Sequence, residues 1–194
     1  MSSMIVTLIH KEINIKDGKM FFNRTDLLSH NLNNNKTRVY RVIQDNFEYD
    51  LLCPERITET QEKMVFWPSF KLPYRKYPVY VYLYAAALYL STEKSMREVA
   101  FEIRRKFGLE KFSHSTVSRT LKKLRNNLDI LIEIGTQPED FKTPVKRRKW
   151  DNKKSNEYEN LLRAISTILI DSKTNSFGSL LNYKFFSKTG KFLL

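Results

Sequence analysis

His114, Ser115, Ser118, Arg119 and Lys122 lie within nine residues, HSTVSRTLK, at spacings of one, three, one and three. On a helix this spacing puts all five on one face. Their chemistry is hydrogen bonding: two hydroxyls that donate and accept, an imidazole, a guanidinium fork and an ammonium. Such a face suits base edges in a DNA major groove, where short polar side chains near a helix N-terminus are followed by Arg and Lys. Arg104, Arg105, Lys111, Lys123 and Arg125 surround it and are candidates for phosphate contact. A second basic run, Lys146-Arg147-Arg148-Lys149, can track a DNA backbone or minor groove, each cation adding salt-dependent affinity.

The elements that must position these residues are legible around them. Ser95 followed by Glu98 has the form of a capping box, which predicts a helix start. Val99, Ile103 and Phe107, with Ala100 beside them, make one apolar stripe. Gly108 can take the left-handed conformation that ends a helix. Ser113 can cap a second helix whose seam is Val117, Leu121, Leu124 and Leu128. Two such helices joined by a turn read as a helix-turn-helix. The same pattern also describes a plain α-hairpin with a solvated outer face. Charge favours the first reading, because residues 95–128 hold nine Lys and Arg against three Asp and Glu, a net of +6.

The run FSHSTVSRTLKKL resembles the recognition helix of helix-turn-helix proteins, in which Ser-x-Ser-Thr-Val-Ser-Arg is a frequent phrase. With SMREVAFEI in front of it, the stretch resembles the DNA-binding parts of transposases and related mobile-element proteins. The intervals from Ala100 to Gly108 and from Gly108 to Val117 are longer than in compact bacterial repressors. The resemblance implies sequence-specific binding of double-stranded DNA, in transcriptional control or in marking element ends. It also raises the question of three metal-binding carboxylates on an RNase H-like sheet. The acidic residues beyond Leu128 fall largely in helical or linker contexts, and 66 residues are too few for that fold. The expectation is an accessory or stand-alone DNA binder with no catalytic site, not an enzyme.

Other chemistry finds no support. The five glycines, at 18, 108, 135, 178 and 190, form neither a dinucleotide fingerprint nor a phosphate-binding loop. His10, His30 and His114 lack metal spacing, and Cys53 is the single cysteine, so no zinc site or intrachain disulfide can be assembled from cysteines. No cofactor, metal or small-molecule ligand is expected. Cys53 reads as a buried thiol rather than a nucleophile. Met1–Glu12 has no basic n-region, and the longest apolar run, Val79–Leu90, is too short for a bilayer. A soluble, cytoplasmic, nucleoid-associated protein without membrane contact is expected. The net charge of +13 and pI near 9.7 imply an anionic partner. The charge is concentrated, since residues 142–154 carry a further +6, seven Lys and Arg against Asp151.

Four regions follow from these signals, in an α+β chain that is mostly α. Residues 1–68 read as a small β-rich part whose strand candidates are Met4–Ile9, a hairpin of Ile13–Ile15 and Met20–Phe22 about Asp17-Gly18, then Val39–Ile43, Phe47–Leu52 and Met64–Trp67, from which an antiparallel sheet of four or five strands is expected. His30–Thr37 reads as an exposed loop. Residues 69–135 hold the helix-turn-helix, with WPSFKLPYRKYP as an extended connector and a first helix from Val79 to about Leu90, apolar nearly all round and so buried. The second helix of the motif is predicted to run on to Gly135, extending the seam to Leu131 in a heptad pattern that can pack internally or make a homodimer. Residues 136–154 are a basic linker. Residues 155–194 are a helical C-terminal tail, capped at Asn156 with Glu159, that completes the core or mediates self-association. Two other classes remain open: an RNA-binding module using the sheet and its aromatics, and a non-catalytic protein whose basic surface meets an acidic partner.

Overall fold

The computed structural model describes residues 4–9, 13–22, 36–44, 47–57, 62–134, 155–170 and 176–194. It is an α+β protein that divides into two compact units, Met1–Pro78 and Val79–Leu194. No helix among the described residues is long and apolar enough to cross a membrane.

The first unit is a six-stranded sheet of β1 (Met4–Ile9), β2 (Ile13–Lys16), β3 (Lys19–Phe22), β4 (Lys36–Gln44), β5 (Phe47–Ile57) and β6 (Lys63–Pro68). Asp17 and Gly18 both have positive φ, 50° and 72°, the conformation that a two-residue turn matched to strand twist requires. β2 and β3 are therefore an antiparallel hairpin, as their sequence predicts. β5 pairs antiparallel with β4 and β6. The sheet is mixed rather than antiparallel, because β1 runs parallel to β6 and β3 parallel to β5. Alternating apolar residues identify a strand but do not say which distant strand it joins, and parallel pairs are joined by long crossovers with no local signature.

On β5 the residues Leu51, Cys53 and Glu55 are buried in alternation with half-exposed neighbours. Glu55 is 6% exposed and accepts from the guanidinium of Arg38 on β4, which compensates its charge. The expected extended connector is instead folded into this unit. Ser69, Phe70, Lys71, Leu72 and Tyr77 are buried, Trp67 Nε1 donates to the Lys71 carbonyl at 2.6 Å, and Ile43 N donates to the Lys76 carbonyl at 3.0 Å. The unit thus extends to Pro78, ten residues beyond the boundary drawn from sequence. Pro68, Pro73 and Pro78 punctuate the segment, but the apolar residues between them pack. Expected loop residues 30–35 lie outside the described residues, and Lys36 and Thr37 belong to β4.

Lys71 is 4% exposed, and its ammonium donates to the carbonyls of Leu72, at 3.2 Å, and Arg75. Burial pushes this ammonium down to about 8 from its ordinary 10.5, while burial pushes the Cys53 thiol up to about 12. Below pH 8 the lysine is charged in both the folded and unfolded chain, and the fold carries the full cost of burying it. Between about pH 8 and 10.5 the unfolded chain holds a proton that the fold releases, so the Lys71 contribution to stability rises with pH. Chemical unfolding of wild type and Lys71→Met at pH 8 and pH 10 should show wild type gaining on the variant by on the order of 1 kcal/mol. A pH-independent difference would remove the buried ammonium from this account.

The second unit is helical: α1 (Val79–Ser91), α2 (Met96–Phe107), α3 (His114–Asn126), α4 (Leu128–Ile134), α5 (Ser155–Ile165), α6 (Thr167–Ile170) and α7 (Ser176–Thr189). Ten of the thirteen residues of α1 are buried. It packs against α2, α3, α5, α6 and α7, so the C-terminal helices complete the core around it rather than forming a separate tail. Its tyrosines are packing residues: Tyr80 and Tyr84 meet the Phe107 ring edge-on at 5.5 and 5.4 Å, and Tyr82 meets Phe112 at 5.8 Å. α5 begins at Ser155, which leaves Asn156 inside the first turn rather than at the cap.

Helix α7 approaches α1 closely at Gly178. A Cβ there would lie 3.2 Å from Tyr80 Cα and Cβ and 3.3 Å from its backbone nitrogen. The obstructing atoms belong to a buried helix and cannot swing away. Gly178→Val should therefore cost about 1–3 kcal/mol in urea unfolding, with Gly178→Ala milder. An unchanged midpoint would mean that the two helices part freely.

Candidate nucleic-acid interface

The candidate interface is built from the caps outward. Ser95 is the N-cap of α2; its hydroxyl accepts from Glu98 N at 3.3 Å, and the Glu98 carboxylate accepts from Ser95 N at 2.7 Å, completing the capping box. Hydrogen bonding to its carboxylate from the Ser95 side chain and backbone N–H holds the Glu98 carboxyl below the usual carboxylate range. Val99, Ala100, Ile103 and Phe107 are the buried stripe. Gly108 ends the helix at φ 58° and ψ 38°, a conformation that costs a side-chain-bearing residue about 1–2 kcal/mol. Leu109 and Phe112, both 6% exposed, anchor the turn. Ser113 then caps α3, accepting from Thr116 N at 3.3 Å.

α1, α2 and α3 each contact the other two, so the motif is a three-helix unit with α3 held on one side by Val117, Thr120, Leu121 and Leu124. The other side carries the candidate base-contacting residues. His114, Ser118, Arg119 and Lys122 are exposed and Ser115 is half-buried beside them. α3 contains four Lys and Arg and no Asp or Glu. Among the candidate phosphate contacts, Arg104, Arg105, Lys111 and Lys123 are exposed, with Lys111 3.7 Å from its neighbour Glu110. Lys146, Arg147, Arg148 and Lys149 lie outside the described residues.

Arg125 departs from its expected role as an open phosphate contact. Its Nε and Nη2 both donate to one oxygen of Glu157 on α5, at 3.2 and 3.0 Å, and its guanidinium lies 5.4 Å from the Tyr158 ring. Nothing near Arg125 in sequence announces a partner that arrives from α5. The long single helix to Gly135 is also corrected. Asn127 interrupts it between α3 and α4, with its amide donating back to the Lys123 carbonyl at 2.9 Å. Asparagine bonds its own backbone in this way and so competes with helix continuation. Leu131 is nevertheless buried and Leu128 half-buried, so the apolar seam is covered within the chain.

α2 adds surface residues that the motif reading passes over. Phe101 is 58% exposed, with the Arg104 guanidinium 5.8 Å from its ring centre, and Arg97 and Lys106 are exposed on the same helix. The spacing of Arg97, Phe101 and Arg104, off the Val99–Ile103–Phe107 stripe, is the signal that could have found them. No three His, Cys, Asp or Glu side chains converge as a metal site among the described residues. No family model, curated protein or solved structure matches this chain.

The Arg125–Glu157 pair is partly solvated, with side chains 36% and 52% exposed. A double-mutant cycle on Arg125→Ala and Glu157→Ala, read by chemical unfolding, should give a coupling of no more than about 1 kcal/mol. A coupling several times larger would make the pair a principal anchor of α5.

Proposed function

We propose that this chain binds double-stranded DNA through the α2–turn–α3 unit, with α3 entering the major groove. The observation that carries the reading is the outer face of α3: exposed His114, Ser118, Arg119 and Lys122 with half-buried Ser115, on a capped helix free of carboxylates. His114, Ser115, Ser118, Arg119 and Lys122 face base edges, and Arg104, Arg105, Lys111 and Lys123 meet phosphates. The 146–149 run adds backbone contacts. Arg125 serves mainly to tie α3 to α5. The biological output is occupancy, as a transcriptional regulator or as a mobile-element accessory protein, with no reaction of its own.

The sheet gives less support to an RNA-binding platform. Among the described aromatics of its strands Phe22, Phe66 and Trp67 are buried, Tyr40 packs edge-on against Trp67 at 4.5 Å, and Phe47, 66% exposed, is the one exposed ring. Bases stack on exposed rings.

The test compares binding to random duplex DNA and to single-stranded RNA at two salt concentrations. Duplex binding should dominate and weaken with salt. On a duplex selected for preference, Arg119→Ala should cost about 1–3 kcal/mol, whereas Lys123→Ala should weaken all duplexes alike and lower the salt slope by roughly one. Stronger binding to single strands, or an Arg119→Ala protein equal to wild type, would defeat the assignment.

A further inference from the structure

The hydrogen bonds around Arg119 bear on which base the proposed interface reads. Arg119 Nε donates to the Ser115 carbonyl at 3.2 Å, and Nη2 donates to the Ser115 hydroxyl at 3.4 Å. That hydroxyl is itself 2.8 Å from the hydroxyl of Ser113, the N-cap of α3. Whichever of the two serines donates, Ser115 Oγ keeps a lone pair for Arg119. The three residues form a chain from the helix cap to the guanidinium.

The two bonds to Ser115 occupy the Nε–Nη2 side of the guanidinium. Of its five N–H donors, three stay available, including the parallel pair at the Nη1–Nη2 end. That end matches the adjacent O6 and N7 acceptors of guanine in the major groove. A flexible arginine must be immobilised on binding, and a guanidinium already held on one side loses less freedom. A phosphate could take the same fork, but Arg119 shares its face with His114, Ser115, Ser118 and Lys122, the set oriented toward base edges.

We infer that Arg119 is a specificity-determining residue that reads a guanine through its Nη1–Nη2 end, and that Ser115 is the positioning residue that aims it. This rests on the reading of α3 as the groove-entering helix. Selection of the full chain on a pool of random duplexes should enrich a guanine at one fixed position. Replacing that base by 7-deazaguanine, which lacks the N7 acceptor, should weaken wild type about tenfold and leave Arg119→Ala, which has no donor to offer, nearly unaffected. Ser115→Ala should lower discrimination at that guanine about threefold or more, and Ser115→Thr, which keeps the hydroxyl, should restore it.

Selection without an enriched guanine, or a 7-deazaguanine effect undiminished in Arg119→Ala, overturns the base assignment. Full discrimination by Ser115→Ala overturns the positioning role. In these cases salt-dependent duplex binding persists and the underlying reading stands. Absence of duplex binding by wild type overturns both.

Discussion

The helical unit depends on burying α1. A helix apolar on every side has no face that tolerates water, so it must be covered all round. α2 and α3 cover it from one part of the chain, and α5, α6 and α7 cover it from another. Area burial of this kind is the dominant favourable term in folding. The covering helices are amphipathic where it matters. α2 and α3 turn Val99, Ile103, Phe107, Val117, Leu121 and Leu124 inward, and by geometry this leaves their charged residues outside. The basic face is therefore a consequence of the core as much as a feature of its own.

The caps convert that coarse arrangement into a defined one. Packing alone would let α3 slide or rotate slightly against α1. The stops at Gly108 and Asn127 and the starts at Ser95 and Ser113 fix which residue begins each turn. Since successive residues on a helix point about 100° apart, a one-residue shift of the start would turn Arg119 away from Ser118 and Lys122's side of the surface. The buried turn residues Leu109 and Phe112 hold the connection to the same core.

Local signals in the sequence were sufficient wherever a single residue decides a single turn. The capping box, Asp17-Gly18, the Gly108 stop and the buried α1 were legible because each is settled within a few residues. What escaped was settled at a distance. The parallel pairings of β1 with β6 and β3 with β5, the capture of residues 69–78 by the sheet, and the engagement of Arg125 by Glu157 all join residues far apart in the chain. The break at Asn127 is an intermediate case: a hydrophobic repeat extending through Leu131 outweighed a local stop signal, although the side chain that ends the helix stands in plain view. In the candidate interface, residue identity on α3 was readable from spacing, while the state of each side chain was not.

That state separates the two arginines of α3. Arg125 is met by a carboxylate, so its charge is largely compensated where it stands and the field it projects is weakened. Arg119 is met by a hydroxyl and a carbonyl, which orient the guanidinium and leave its charge uncompensated. A charged group held in place by neutral acceptors is prepared to bind an anion or a base acceptor, whereas one held by an acid has already found its counterion. The same logic sets Arg38 apart, since it serves Glu55 inside the first unit. Counting cations therefore overstates a binding surface. What distinguishes α3 is that none of its outward cations is met by a carboxylate of its own helix, because the helix has none, and Arg125 finds its acid on α5.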